Sequence, residues 1–331
     1  SSVEPWAILV LRSGIAFLFI VYLVKILLLK EIAIQKTILY LPLLLFIALV
    51  VFQILPLGES FIRLISPNTP PVFETLAEHL NTKPAYRISL NFFETRSALI
   101  EFSFYALVFF LVINNIKNFR QINAILGTLV VLGFAISLFG LIQKFIPGNK
   151  IYWLQDVPSG AIPFGPFVNY DHFGGYINML IPIGIGFLLT YIEHSKKVLV
   201  GFMTVLMGTA MMLSRSRGAV LSFAGALVLL IVIILIMRKN FEERIILPTI
   251  LKIAAVVCFV FVFIYWVDWV YFIGRMKTIG LEQNFFRPRI DVYRDSIAIV
   301  RKFATFGVGF GNFKTIFPAY QNHHNHLFWK H

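Results

Sequence analysis

Long apolar runs broken by short polar connectors set the rhythm of this chain. A membrane-spanning helix needs roughly 20 apolar residues, and eight segments reach or approach that length. They lie near 6–29, 37–57, 96–116, 121–146, 172–192, 198–213, 217–237 and 249–270. Between them sit Lys30 to Lys36, Lys117 to Arg120, Glu193 to Lys197 and Arg238 to Arg244, each with at least two Lys or Arg. Counting spans puts all four connectors on one face, which the positive-inside rule makes cytoplasmic. The opposite face then receives the longer loops 58–95 and 147–171, the turn at Arg215 and everything after Val270. The N-terminus falls on that face too, so at least one further helix is expected upstream.

The expected fold is an all-α polytopic membrane protein. A helical bundle of about eight spans occupies 1–270, and a periplasmic helical loop region occupies 271–331. In the first long loop, Thr69-Pro70-Pro71 followed by Val72, Phe73, Leu76 and Leu80 predicts a capped amphipathic helix. It either lies on the membrane surface or packs on the spans.

Composition agrees that lipid is the solvent. Hydrophobic residues make up 58% and charged ones 14%, and mean hydropathy is +0.81, outside the soluble range. The 35 Phe residues suit lipid-facing and interfacial positions. A net charge of +13 is first a topology signal. Nucleic acid is not an expected partner, because the basic residues form no single stripe. The one cysteine, Cys258, can make no internal disulfide.

Polar residues that interrupt the apolar pattern are the candidates for chemistry. Ser214-Arg215-Ser216-Arg217-Gly218 reads as a polar turn between two spans. Guanidinium groups at a bilayer are costly and face a partner that justifies them, and a phosphate is the obvious one. The segment after Tyr271 holds nine Lys or Arg against three acids on the face where basic residues should be scarce, which asks for a local anion. If a helix starts at Pro288, a favourable first-turn position, then Arg287, Asp291, Arg294, Asp295, Arg301 and Lys302 share a solvated face. Arg289 falls opposite, with Tyr293, Ser296, Ile297, Val300 and Phe303, and an arginine on a packed face is either paired or used.

A second polar island on the same face is Phe164-Gly165-Pro166-Phe167-Val168-Asn169-Tyr170-Asp171-His172-Phe173, and a third runs from Gly307-Val308-Gly309-Phe310-Gly311-Asn312-Phe313 to His323-His324-Asn325-His326. The glycines at 307, 309 and 311 follow a predicted helix and lack dinucleotide spacing, so a turn packing closely on the membrane domain is the better reading. The histidines are open to three readings. A metal site is weakened because neighbouring His side chains diverge and no Cys or spaced carboxylate joins them. A general base suits an imidazole that titrates near neutral pH, and a loop of bystanders is the bland alternative.

Taken together, Gln53-Ile54-Leu55-Pro56-Leu57, Phe164-Gly165-Pro166-Phe167-Val168-Asn169 with His172-Phe173, Ser216-Arg217-Gly218, Arg289-Ile290 with Tyr293 in place of Trp, Gly307 to Phe313 and His324-Asn325 resemble the O-antigen ligase and polymerase superfamily. The resemblance runs from about residue 40 to the end. It implies a bacterial inner-membrane glycosyltransferase of the all-helical C type, which takes a glycan from undecaprenyl diphosphate on the periplasmic side. Acceptors in the superfamily are lipid A core for ligases, a growing glycan for polymerases, and Ser or Thr of a pilin-like protein for O-oligosaccharyltransferases. Carried over by motif, Arg217 and Arg289 would hold the diphosphate and His324 would activate the acceptor hydroxyl. Arg215 is a further candidate by proximity, and His323 and His326 are alternatives for the base. No metal, nucleotide or other cofactor is required. Further spans are expected beyond His331.

Two rivals come from other classes. A lipid-linked oligosaccharide flippase would line a central cavity with cations and show repeats between halves, and no repeat is visible. A purely structural subunit leaves Arg289 and the Ser-Arg-Ser-Arg turn without a purpose.

Overall fold

The computed structural model describes residues 5–30, 34–82, 85–146, 150–153, 155–157, 161–189, 194–236 and 283–321. The expected span 249–270 and the histidines at 323, 324 and 326 lie outside them. The described chain is almost wholly helical, with α1 (Pro5–Leu29), α2 (Tyr40–Ile54), α3 (Glu59–Ile65), α4 (Pro70–Leu80), α5 (Phe92–Asn115), α6 (Phe119–Phe145), α7 (Tyr170–Leu189), α8 (His194–Leu213), α9 (Arg217–Ile236) and α10 (Gln283–Lys302). The four-residue α11 (Phe313–Ile316) runs into a 3-10 turn, Phe317–Tyr320. A two-residue hairpin, Lys150–Ile151 with Gln155–Asp156, was not foreseen.

Five of these helices, α1, α5, α6, α7 and α8, are long and apolar enough to cross a membrane, and α2 and the described part of α9 are shorter apolar helices. Along α1, Leu9, Phe17, Leu27 and Leu28 are all well exposed. A helix apolar on all sides needs a hydrocarbon environment. The expectation of an all-α polytopic membrane protein therefore stands.

The chain divides into two compact units, one within Asn118–Leu281 and the other formed by Val3–Lys117 with Glu282–His331. In the first, α7 is the central helix. Its Phe173, Ile177, Ile181 and Ile185 are buried against Met207, Ala210 and Met211 of α8, Ala219 and Phe223 of α9, and Val130 of α6. Small residues set the spacing, as in many membrane bundles: a Cβ on Gly133 would meet Leu180 and Met207 at 2.6 and 2.8 Å.

In the second unit α5 packs against α1 and α2. Where these helices end, Asn114 uses its whole amide. Its Nδ2 donates to Tyr40 Oη and Phe110 O at 2.9 and 2.8 Å, and its Oδ1 accepts from Gln35 N at 2.9 Å. A buried amide so satisfied costs little and fixes the chain entering α2.

The helix expected over 69–80 forms as α4. Thr69 does not cap it through its side chain. That hydroxyl is buried and bonded to Ser66 Oγ at 2.8 Å. Arg63 bonds to Glu59 at 2.9 Å and also to Glu74, tying α3 to α4. The Glu59 hydrogen bond, then the Glu74 charge, raises the Arg63 guanidinium above its ordinary value. Burial, then Glu59 and Glu74, raises the nearby Tyr86 phenol.

α10 departs from expectation in two ways. It begins at Gln283, so Pro288 lies inside it rather than at its start; proline's fixed φ is helical, and the local loss is one backbone donor. Its faces also match expectation only in part: Arg294, Arg301 and Lys302 are exposed and Phe303 is buried as expected, but other positions differ. Asp291 and Asp295 are buried, Asp295 to 2% exposure, while Tyr293, Ile297 and Val300 are exposed. The helix packs through the i, i+4 row that ends in Ile299 and Phe303, against Ile316, Phe317, Leu90 and Val308.

Candidate functional site

Two polar islands separated in sequence meet at one end of the first unit. α8 closes with Ser214 N donating to Ala210 O at 2.9 Å, Ser214 Oγ donating to Met211 O at 2.6 Å and Arg215 N donating to Met212 O at 3.1 Å. Arg215 then turns the chain with φ +71°. A side chain in this left-handed region costs about 1–2 kcal/mol, and strain of this kind gathers at functional turns. Ser216 is the residue before α9, and its Oγ accepts the Ala219 N–H at 3.1 Å, which is N-capping geometry. Arg217 takes the first helical position.

The other island wraps this turn. Phe164 and Phe167 form a tight bridge, with N–H to O distances of 3.0 and 3.2 Å. Asn169 Oδ1 accepts the Asp171 N–H at 2.8 Å as α7 begins. Asp171 Oδ1 then accepts from Ser216 Oγ at 2.5 Å. The close approach requires Gly174, where a Cβ would lie 2.6 Å from Ala219 Cβ and 3.1 Å from Ser216 Cβ. From the end of α6, Lys144 Nζ donates to Leu213 O at 3.0 Å, meeting one of the unpaired carbonyls at the end of α8.

The end of this bundle therefore gathers Lys144, Arg215, Arg217, Asp171 and His172. Of these five residues three are Lys or Arg and one is a carboxylate, and α7 and α9 both direct their positive helix ends to them. Sequence reasoning picked out Arg215 and Arg217. It placed Asp171 within the 164–173 island without assigning it a role, and it passed over Lys144, whose only cue was a charge in the last turn of a span.

In the second unit the glycine-rich segment is clasped by side chains. Gln53, in the last turn of α2, donates through Nε2 to Phe306 O at 2.8 Å and accepts through Oε1 from Phe310 N at 3.0 Å. Asn312, fully buried, donates to Val308 O at 2.8 Å and Ser89 Oγ at 3.2 Å, and Ser89 Oγ lies 2.8 Å from Thr95 Oγ1. Gly309 has φ +98°, and a Cβ there would lie 2.7–2.8 Å from Asn312 Nδ2, Ser89 Cα and Thr95 Oγ1. The expected close-packing turn is thus present, and α5 supplies the surface it packs on.

This clasp anchors both flanks of the loop chemistry. On one side is α10, which carries position 289. On the other is the 3-10 turn that ends at Tyr320, just before the histidine segment. Of the face expected to pack together with Arg289, Phe303 is buried while Tyr293, Ile297 and Val300 are exposed.

A helical bundle with five helices long and apolar enough to cross a membrane defines a multi-pass membrane protein. Residues 202–331 match the family model described as O-antigen ligase, and over that stretch the chain is similar to that family. The family belongs to a superfamily of glycosyltransferase-like membrane enzymes. No curated protein and no solved structure matches the chain.

Proposed function

We propose that this protein is a bacterial inner-membrane glycosyltransferase. It moves a glycan from an undecaprenyl diphosphate carrier to an acceptor hydroxyl on the periplasmic side, with lipid A core as the acceptor. The observation that carries the reading is the meeting of the 164–173 island with the Ser214–Arg217 turn, which sets Lys144, Arg215 and Arg217 at one end of the apolar bundle. Guanidinium forks match phosphate oxygens in pairs, and a lipid diphosphate carries its charge at the membrane boundary.

The acceptor oxygen attacks the anomeric carbon as His324 takes its proton. The bond from that carbon to the diphosphate oxygen breaks, and undecaprenyl diphosphate leaves with the electron pair. Arg217 and Arg289, with Arg215, offset the negative charge that grows on the leaving group. His323 and His326 are the alternative bases. The step needs neither a metal nor a nucleotide. Residues 271–331 serve as the periplasmic loop region of this enzyme, and 1–270 as its membrane domain.

Purified protein incubated with an undecaprenyl diphosphate glycan and separate acceptors tests the reading. Glycan joined to lipid A core is the expected product. Elongated glycan would make the protein a polymerase, and a modified Ser or Thr would make it a protein O-oligosaccharyltransferase. Donor that crosses the bilayer with no new glycosidic bond would make it a transporter and overturn the proposal.

A further inference from the structure

The exposed side of α10 is apolar where it should be polar if water covered it. Ile290, Tyr293, Ile297 and Val300 fall within about 80° of the helix circumference at 3.6 residues per turn. All four are exposed, Tyr293 to 66% and Val300 to 65%. Arg294 and Arg301 border this stripe and are exposed as well. The opposite side is already occupied, because Ile299 and Phe303 pack on Phe317, Ile316, Leu90 and Val308.

The helix is also tied to a membrane boundary. Lys302 O accepts from Asn68 Nδ2 at 2.7 Å. A few residues on, Phe306 and Phe310 are held by Gln53 at the end of the apolar helix α2, and Leu90 N donates to Val308 O at 3.0 Å just before the span α5 begins. An amphipathic helix with an apolar stripe, flanking arginines and an anchor at the end of a span has the composition of an in-plane interfacial helix. Arginines at such an edge keep their stems in apolar surroundings and their heads at lipid phosphates.

We propose that the Ile290–Val300 face of α10 docks on the lipid surface of the membrane that the spans cross. Its apolar side chains enter the boundary between headgroups and acyl chains, and Arg294 and Arg301 meet lipid phosphates. The bound face holds α10 at the depth of the lipid headgroups. The inference rests on the membrane character of the chain and is independent of the transfer reaction.

The full protein in nanodiscs of phosphatidylethanolamine and phosphatidylglycerol tests it, with a Cys258→Ser background and a nitroxide label placed in turn at Tyr293, Ile297, Val300 and, as the control off the stripe, Ala298. Labels on the stripe should be several-fold more accessible to dissolved oxygen, relative to a water-soluble nickel complex, than the label at Ala298. Equal access to the nickel complex at all four positions would show a water-covered face and overturn the proposal. Stripe labels shielded from both reagents would show a protein-covered face and overturn it equally. All four positions are exposed, so labelling leaves the packed side of α10 intact, and glycan transfer by the same samples is scored separately.

Discussion

Ser216 and Asp171 are joined by a 2.5 Å hydrogen bond, and this single contact links the start of α7 to the start of α9. Ser216 is 1% exposed, and its hydroxyl works in two directions, accepting from Ala219 N as it donates to the carboxylate. Ser216→Ala removes a cap worth about 0.5–2 kcal/mol together with the link. It should lower the melting temperature and glycan transfer together. Asp171→Asn keeps an acceptor oxygen, whereas Asp171→Ala does not. Transfer should survive the first far better than the second; equal loss in both would assign the role to the charge instead of the bond.

Arg215 gives a cleaner separation of stability from function. Its φ of +71° is comfortable for glycine and strained for other residues. Arg215→Gly should therefore leave the melting temperature unchanged or slightly raised, by up to about 1 kcal/mol of stability, while transfer falls. Arg215→Ala keeps the strain and should be the less stable of the two. A glycine variant with full transfer would remove Arg215 from the donor site.

Glycines 307 and 309 make a matched pair in the clasped segment. Both have positive φ, yet a Cβ at Gly307 meets nothing within 4 Å, while one at Gly309 collides with Asn312, Ser89 and Thr95. Gly307→Ala should cost about 1–2 kcal/mol from backbone strain alone. Gly309→Ala adds the collision and should open the loop to proteolysis and abolish transfer. Limited proteolysis in detergent distinguishes the two, and similar digestion patterns would mean that the clasp does not order this loop.

The described spans were legible because length and hydropathy are local properties. So was the turn at 214–217, since two arginines in an apolar run have no core explanation. What the turn touches was not legible: Ser216 and Asp171 are 45 residues apart in sequence, and Gln53 and Phe310 are 257 apart. α10 shows a different difficulty. Ile290, Tyr293, Ile297 and Val300 form one apolar row and Val292, Ile299 and Phe303 another, so periodicity alone could not say which row is buried. Tertiary packing on Phe317 decided for the second, and took Asp291 and Asp295 inside with it.

Sidedness follows from the positive-inside reading and can be checked directly. In a Cys258→Ser background, a cysteine at Asn118 should be protected from an impermeant maleimide in intact spheroplasts, and one at Gln283 should be labelled. The reverse pattern would invert the topology and, with it, the placement of the transfer site in the periplasm.

Arg217 and Arg289 are expected to need their forked geometry as well as their charge. Arg217→Lys and Arg289→Lys should each lose most transfer with little loss of folded protein. Arg120 of the short connector at 117–120 is the control and should tolerate Lys. His324→Ala should reduce transfer by about 10²–10⁴-fold, the usual share of a positioned base, while donor binding persists. A base acts in its neutral form, so the rate should fall on the acidic side as the imidazole protonates, and this limb should vanish in the alanine variant. Near-normal transfer in His324→Ala with loss in His326→Ala or His323→Ala would move the base to that histidine. Activity in all three variants would leave the loop as a cover over the donor, with proton removal carried by another group.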